Sequence, residues 1–309
     1  MSQTERPPVA APVPSSVLPP TPGVQKVKPS KERSRATWPV RLALIIVVVL
    51  FMIPTLGLLV TSFRSREDAV ASSWWGAVFN PLSSEWTLSN YGEVLGVGMG
   101  NAFINSLVVT VPATIIPILI AAMAAYAFTF VEFRGRNIVF ISIVALLVVP
   151  NQVSFIPLLQ IFGQFDLTGT FAAVWLAHTG YGMPLAVYLL RTYMSTLPKA
   201  VIESAKIDGA THYQTFWRLI LPMSLPALAS FAIFQFLWVW NDLLIALIFL
   251  GAGENETVTL NLQSLLGVFG NRWDLLAPGA FVTMSLPIIV FFALQRYFVR
   301  GMTAGSVKG

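Results

Sequence analysis

Six stretches of the chain are continuously apolar and almost free of charge, and each is long enough to cross a membrane as a helix. A hydrocarbon core about 30 Å thick needs about 20 residues at a rise of about 1.5 Å each. Because apolar and polar residues do not alternate in these stretches, the pattern predicts helices rather than the strands of a barrel. Polar residues interrupt the third stretch, where Asn151 and Gln152 follow Pro150. The predicted spans cover residues 42–63, 103–128, 137–156, 170–190, 225–250 and 278–295.

The composition agrees with this pattern and excludes several classes of protein. Of the 309 residues, 55% are hydrophobic and only 11% are charged. Soluble domains carry about 25% charged residues, so a soluble globular enzyme is excluded. The chain has no cysteine. A disulfide-stapled secreted scaffold, a zinc–thiolate site and a thiol nucleophile are therefore excluded as well.

The two ends of the chain differ from the six-span region between them. Residues 1–37 contain eight prolines, show no helical or strand periodicity and end in a basic run, which is typical of a disordered tail. The first apolar stretch begins too far from Met1 for a cleaved signal peptide, so we expect the tail to be retained. We divide the chain into a disordered cytoplasmic tail (1–37), a six-span domain (38–300) and a cytoplasmic C-terminal tail (301–309).

The positions of the basic residues predict the orientation of the spans. If the N-terminus is cytoplasmic, only three of the 19 lysines and arginines fall in outer loops, namely Arg64, Arg66 and Arg272. This asymmetry follows the positive-inside rule and places both termini in the cytoplasm. The basic isoelectric point is thus explained by topology, and no nucleic-acid partner is needed. The predicted fold is all-α, a polytopic membrane protein with six transmembrane helices.

Polar residues inside the spans are candidates for a permeation path. Asp242 is the only acid within any predicted span, and it follows Asn241. A carboxylate at the bilayer centre costs about 2.5 to 3.5 kcal/mol on insertion scales, so it should face a partner helix or water. Two interpretations stay open: Asn241 and Asp242 lie on a permeation path together with Asn151, or they pair locally near the outer interface.

Prolines and tryptophans allow two interpretations each. Five predicted spans contain interior prolines, which indicates kinked helices packed around a path or reflects the general abundance of proline in membrane helices. For Trp238 and Trp240 we expect packing at the membrane interface rather than stacking on a sugar. The outer-loop residues Trp74, Trp75 and Trp86 belong either to an aromatic belt or to a docking surface.

The loop between the fourth and fifth spans has the most specific pattern in the chain. Pro198 suits the first turn of a short amphipathic helix, and Gly209 suits its end. Thr211 and Gln214 have the spacing of a capping box that begins a second helix. The pattern predicts a helix, a tight turn and another helix, all outside the membrane. On these grounds alone, a helix lying on the lipid surface remains an alternative.

The spacing in this loop resembles the EAA loop of binding-protein-dependent ABC importer permeases. That family has the sequence EAA, a glycine four residues later, and an I-x-L-P sequence whose isoleucine lies ten residues after the glycine. Ser204 replaces an alanine of the motif and Leu219 replaces the isoleucine. The C-terminal residues and the sequence WND at 240–242 are similar to the smaller permease subunit of maltose-type carbohydrate importers. The matching residues here are Glu203, Ser204, Ala205, Gly209, Leu219, Leu221 and Pro222.

The resemblance implies a role for three sets of residues. The ATPase-coupling set is Glu203, Ser204, Ala205, Asp208, Gly209, Leu221 and Pro222. The C-terminal set, implied to contact the ATPase, is Ala304, Gly305 and Lys308. The set on the translocation path is Asn241, Asp242 and Asn151.

The resemblance also implies the location, partners and substrate. It implies a multi-pass subunit of a bacterial cytoplasmic (inner) membrane that forms half of the path for a sugar, with an α-glucoside as the expected type. The implied partners are a second permease subunit, a cytoplasmic ATPase dimer, an extracytoplasmic sugar-binding protein and membrane lipid. The chain has no G-x-x-x-x-G-K-[ST] phosphate loop, so we expect no cofactor or metal in this chain, with ATP and Mg²⁺ bound by the ATPase.

Three alternatives remain at this stage. One is an ABC import permease for another solute, such as a peptide or phosphate. A second is a membrane-embedded enzyme, but His178 falls in the fourth span and His212 in the loop that follows it, with no shared site evident. A third is a membrane receptor or scaffold, which would have no need for the EAA spacing.

Overall fold

The computed structural model describes residues 38–268 and 272–304, and within these ranges the chain is helical without a β-strand. A single isolated bridge pairs Arg64 with Trp86. The first helices are α1 (Trp38–Ser62), α2 (Arg66–Ala71), α3 (Trp74–Phe79), α4 (Ser89–Val94), α5 (Gly100–Phe130), α6 (Arg136–Ala145) and α7 (Phe155–Gln164). The remaining ones are α8 (Phe171–Met194), α9 (Lys199–Ile207), α10 (His212–Thr215), α11 (Leu221–Met223), α12 (Leu225–Trp240), α13 (Leu244–Phe249), α14 (Val258–Val268) and α15 (Trp273–Ala304).

Several of these helices are able to span a membrane. Within the described residues, three helical stretches are long and apolar enough: Trp38–Ser62, Ser89–Phe130 and Trp273–Gln295. Two bent pairs raise the number to five if each pair forms one span: Arg136–Val148 with Asn151–Gln164, and His212–Met223 with Leu225–Trp240. The predicted all-α, polytopic architecture is confirmed. The predicted tail 1–37 lies outside the described residues.

The third and fifth predicted spans are not continuous helices, and local chemistry explains both breaks. The third bends by 99° at the break around Pro150, because proline fixes φ and has no N–H to continue the helix. The fifth ends at Trp240. There the Asp242 carboxylate accepts the backbone N–H groups of Ile245 and Ala246 at 2.8 and 3.2 Å and caps the first turn of α13 instead.

The other predicted spans are continuous helices and mostly longer than predicted. Among the described helices that are long and apolar enough to cross a membrane, α8 is not included, so the number of six spans stays a prediction. The second is extended by α4 and a π-turn (Leu95–Met99), in which Gly98 adopts a φ of +115°. The fourth is the single helix α8. The hydroxyl of Thr170 caps its N-terminus by accepting the N–H of Ala173. The sixth continues to Ala304, so the first four residues of the predicted C-terminal tail 301–309 are helical.

Side chains from neighbouring helices compensate for the interior prolines of α5. Pro112 has no N–H to donate to the carbonyl of Val108, four residues before it. The indole Nε1 of Trp175 on α8 donates to that carbonyl at 2.9 Å. A proline in α5 thus creates an acceptor that joins it to α8.

A second acceptor of this kind joins α5 to α12. Pro117 leaves the carbonyl of Ala113 without its helical donor, and Nε2 of the fully buried Gln235 donates to it at 3.2 Å. Gly182 on α8 lies directly against this amide, since a Cβ there would come within 2.8 Å of Gln235 Oε1. The glycine therefore allows α8 and α12 to approach closely.

The third acceptor joins α12 to α15 and corrects one expectation. Pro287 leaves the carbonyl of Thr283 without its helical donor, and Nε1 of Trp240 donates to it at 3.0 Å. Trp240 is only 1% exposed and lies against Phe103 and Phe236. Our expectation of a tryptophan at the membrane interface is wrong at this position, because the indole N–H has a partner inside the bundle.

A buried arginine organises the loop after α1. Arg64 is 1% exposed, and its Nε donates to the Asp68 carboxylate at 2.7 Å. Its other nitrogens donate to the backbone carbonyls of Asp68 and Ser72. The Arg64 guanidinium lowers the pKa of Asp68 below the ordinary 3.8. This ion pair therefore stabilises the loop at neutral pH, and the stabilisation is lost as the pH falls through the lowered pKa.

We expect Asp68→Asn to loosen this loop at pH 7. Amide hydrogen exchange in residues 64–72 should become about tenfold faster, which corresponds to about one lost charge-assisted hydrogen bond. The difference from the wild type should shrink only as the pH falls from the ordinary 3.8 through the lowered pKa of Asp68, where the wild-type carboxylate itself becomes protonated. Glu67→Gln, the neighbouring acid on α2, is the matched control and should leave the exchange unchanged. Equal exchange in Asp68→Asn and the wild type at pH 7 would contradict the assigned ion pair.

Candidate functional site

The connection between α8 and α12, residues 195–224, begins with a helix that ends in a left-handed glycine. Pro198 occupies the N-cap position of α9, one residue before the first helical turn in which the sequence predicts it. At the other end Gly209 adopts a φ of +76°. Its N–H donates to the carbonyl of Lys206 at 3.1 Å, and the N–H of Ala210 donates to that of Ala205 at 2.9 Å. This is the Schellman arrangement, in which glycine avoids the steric cost of a Cβ at positive φ.

The second half of this connection begins with the predicted capping box. The hydroxyl of Thr211 accepts the N–H of Gln214 at 3.3 Å, and the Gln214 side-chain oxygen accepts the N–H of Thr211 at 2.9 Å. The chain then passes through α10, a π-turn (Phe216–Ile220) and α11 before bending by 71° into α12. The predicted helix, tight turn and helix are confirmed as local structure.

Three residues of the EAA-like motif, Ala205, Gly209 and Leu219, line one cleft of about 380 Å³ at the tip of this connection, together with Asp208. Glu203 and Ser204 are exposed on α9 nearby. Leu221 and Pro222 lie in α11 and do not line the cleft. The tip therefore presents a small cleft that contains Gly209, with the exposed Glu203 nearby. Such a surface suits contact with another protein.

One hydrogen bond ties this tip to α5. The hydroxyl of Tyr126 lies 2.9 Å from Nδ1 of His212. The Tyr126 ring also packs edge-on against His212 and Phe216. His212 therefore positions the start of α10 against a membrane helix.

We expect Tyr126→Phe to loosen α10 without unfolding the bundle. The substitution keeps the ring packing and removes one hydrogen bond, about 1 kcal/mol. Amide exchange in residues 211–216 should become about fivefold faster, while exchange in the middle of α5 stays unchanged. Tyr213→Phe, an exposed tyrosine on the same short helix, is the matched control. Unchanged exchange at 211–216 in Tyr126→Phe would show that the bond does not hold the tip in place.

A cavity of about 580 Å³ lies beside α7, α8 and α12, and most of its lining is apolar. Its polar lining residues are Asn151, Ser154, Tyr181, Gln235 and Trp238. The hydroxyls of Ser154 and Tyr181 are 2.9 Å apart, and the buried Oε1 of Gln235 has no hydrogen-bond partner. Asn151 is thus the one residue of the predicted path set that lines this cavity.

The other two residues of the path set have local partners. Asn241 donates from Nδ2 to the carbonyl of Leu237 at 2.7 Å. Besides capping α13, the Asp242 carboxylate lies 3.9 Å from Nε2 of the buried His178. Neither residue lines the 580 Å³ cavity. The structure therefore separates Asn151 from Asn241 and Asp242, and their part in permeation stays a prediction.

The structure adds residues that the sequence analysis did not single out. Tyr126, Trp175 and Gln235 each join two helices, and Gln235 and Tyr181 also line the cavity. A polar residue in an apolar span was a usable signal for Gln235, because such a group needs a partner in lipid. Among the described residues, no group of three or more potential metal ligands comes together. Ala304 ends α15, whereas Gly305 and Lys308 lie outside the described residues.

Comparisons with known proteins agree with the motif. The family described as "Binding-protein-dependent transport system inner membrane component" matches residues 117–304. The osmoprotective compounds uptake permease protein GgtD of Synechocystis sp. is 52% identical over 273 residues, which cover 87% of this chain and 92% of that protein. The alpha-glucoside transport system permease protein AglG of Rhizobium meliloti is 40% identical, with 92% of this chain and 100% of that protein covered.

A solved structure shows the same fold. It is a chain of a bacterial ABC transporter involved in the import of the acidic polysaccharide alginate, with a TM-score of 0.68 and 19% identity, covering 88% of this chain and 100% of that one. Because the family matches more than half of the chain and two relatives match most of it, the chain belongs to the inner membrane components of binding-protein-dependent transport systems and is a permease subunit rather than an enzyme.

Proposed function

We propose that this chain forms half of the transmembrane path of an ATP-driven importer for a sugar or oligosaccharide and receives the motion of a cytoplasmic ATPase through the tip of the α8–α12 connection. The observation that carries the proposal is the shape of that tip. A left-handed Gly209 and a capping box hold Ala205, Asp208 and Leu219 around one exposed cleft. ATP and Mg²⁺ would bind to the ATPase, and a second permease subunit would complete the path.

The coupling role rests on how the tip is connected to the spans. The chain runs from the cleft through α10, the π-turn and α11 directly into α12. Tyr126 provides a second connection, to α5. Movement of the tip is therefore applied to two membrane helices. Glu203, exposed on α9, is the proposed charged anchor, and Ala304, Gly305 and Lys308 are proposed as a further ATPase contact at the C-terminus.

The 580 Å³ cavity is the proposed contribution of this chain to the solute path. An unpaired acceptor on Gln235, two hydroxyls and the edge of Trp238 offer hydrogen bonds and an aromatic surface to a polyol. Pro184 adds to this polarity, because it cannot bond the carbonyl of Gly180 and both residues line the cavity. The supporting observation is that polar side chains from three elements interrupt a mostly apolar wall.

Two substrate classes follow from the relatives. The AglG relative is named for α-glucosides, whereas GgtD, at 52% identity, is named for osmoprotective compounds. We propose an α-glucoside, with an osmoprotective solute as the second candidate. Uptake by the reconstituted complex separates them: maltose represents the first class, glycine betaine the second, and trehalose belongs to both. ATP-driven uptake of glycine betaine without any glucoside would contradict the sugar proposal.

The proposed topology has six spans, with both termini and the α8–α12 connection in the cytoplasm. The absence of cysteine from the chain allows a direct test, because a single introduced thiol is the only one present. Ser204→Cys should react with a membrane-impermeant maleimide only after cells are opened, and Ser84→Cys should react in intact cells. The reverse labelling would overturn the orientation and, with it, contact between the tip and a cytoplasmic ATPase. A binding protein that delivers the solute is the proposed partner on the opposite face.

A further inference from the structure

A second cleft beside α9 carries unusual charge for its position. Its volume is about 380 Å³, and it lies where α5 and α8 end and α6 begins. Four cations and one carboxylate line it: Arg136, Arg191, Lys199, Lys206 and Glu203. In the part of the chain that the structure describes, none of these five side chains forms an ion pair. The cleft therefore has an excess of positive charge.

The helical spacing assigns most of this excess to the two arginines. Lys199 and Lys206 lie one helical turn before and after Glu203 on α9, so Glu203 offsets one of their two charges. Arg136 and Arg191 have no carboxylate in the cleft to balance theirs. Two guanidinium groups without an anion repel each other, so the arrangement favours an external anion.

The geometry of Arg191 points to the same ligand. Its guanidinium carbon lies 4.1 Å from the centre of the Phe140 ring. Phe140 lies one turn after Arg136 on α6, so both arginines are at the same face of that helix. The Nε of Arg191 is buried and has no hydrogen-bond partner among the residues that the structure describes. A buried charged donor without a partner costs the full free energy of its desolvation. An anion in the cleft would offset this cost by accepting a charge-assisted hydrogen bond.

The surroundings identify the source of the anion. The cleft lies where the apolar helices α5 and α8 end, and we expect the ends of membrane helices at the depth of lipid phosphates. On α6, which begins at this cleft, Val139 is 46% exposed and lies on the same side of the helix as Arg136 and Phe140. We infer that this cleft binds an anionic phospholipid, with the phosphate between Arg136 and Arg191 and an acyl chain along α6. Basic pockets between membrane helices on the cytoplasmic side bind such headgroups, and the arginine fork matches a phosphate.

The test measures lipid retention by the purified transporter. Native mass spectrometry of the complex, titrated with phosphatidylglycerol or phosphatidylcholine, should show tight binding of the anionic lipid only. In the double variant Arg136→Gln/Arg191→Gln this binding should become at least about tenfold weaker. Arg134→Gln is the matched control, because Arg134 lies two residues before Arg136, in the loop that leads into α6, and does not line the cleft. Its binding of phosphatidylglycerol should stay unchanged.

Other results would overturn the inference. Equal loss in Arg134→Gln would show a general charge effect, and equal binding of phosphatidylcholine would show that the headgroup charge is not recognised. Inorganic phosphate that binds as tightly as the lipid would assign the cleft to a free anion. If the double variant does not fold, Arg136→Gln alone decides, since this residue begins α6 and is only partly buried. Retention at the wild-type level in a folded variant refutes the site. None of these outcomes depends on the proposed ATPase contact or substrate.

Discussion

Gly209→Val should reduce ATP-driven uptake by about tenfold or more while leaving the amount of protein in the membrane unchanged. Gly209 adopts a φ of +76°. An L-residue in this conformation costs about 1 to 2 kcal/mol, and a β-branched side chain is among the worst suited to it. The end of α9 would then lose the turn that places Asp208 beside Leu219. Uptake into vesicles, normalised to the protein content of the membrane, measures the effect.

Gly209→Asn is the control that separates conformation from size. Asparagine tolerates the left-handed region far better than valine does, and no atom lies within 4 Å of the position where its Cβ would be. We therefore expect most of the uptake to be retained. Normal uptake in the valine variant would refute the role of the turn. A loss equal in the two variants would instead mean that any side chain at this position blocks the partner, so the conformational explanation would be wrong.

Trp240→Phe should lower the free energy of unfolding by about 2 kcal/mol or more, and Pro287→Ala should restore part of the loss. The phenylalanine keeps a ring against Phe103 but leaves the Thr283 carbonyl without a donor inside the bundle, which costs about 1 to 3 kcal/mol. Alanine at position 287 supplies a backbone N–H to the same carbonyl. The free energies of unfolding of the wild type, the two single variants and the double variant, measured in detergent, give the coupling energy of this double-mutant cycle.

The matched cycle uses Trp238 in place of Trp240. Trp238 lies two residues away on α12, and its ring packs against His178 rather than α15. Pro287→Ala should therefore not rescue Trp238→Phe. Equal rescue of both tryptophan variants would mean that the alanine stabilises α15 by itself. Additive effects of Trp240→Phe and Pro287→Ala would show that the indole does not compensate for the proline.

Local patterns in the sequence predicted the local structure well. Pro198, Gly209 and the Thr211–Gln214 pair mark the ends of α9 and α10 because each interacts only with its own helix terminus. The apolar runs predicted an all-α membrane protein because the bilayer demands internal hydrogen bonding. These interactions join residues that are only a few positions apart, so they can be predicted from the local sequence alone.

Contacts between distant residues were not predictable in the same way. The pairs Trp240 with Thr283 and Tyr126 with His212 are separated by 43 and 86 positions, and no periodicity connects them. The bend at Pro150 was suggested by the residue type, but its angle depends on packing. Asp242 shows the same limit, because its role as the cap of α13 requires the helix to break at Trp240, which hydropathy alone does not reveal.

The proline-linked carbonyls have a consequence for how the bundle can change shape. Each junction is a single hydrogen bond from Trp175, Gln235 or Trp240 to a neighbouring helix, and each is worth about 1 kcal/mol net. Such a link can detach and re-form while every turn of the helix around it stays intact. If α5, α8, α12 and α15 rotate relative to one another, these three hydrogen bonds can therefore break and re-form without melting of any helix.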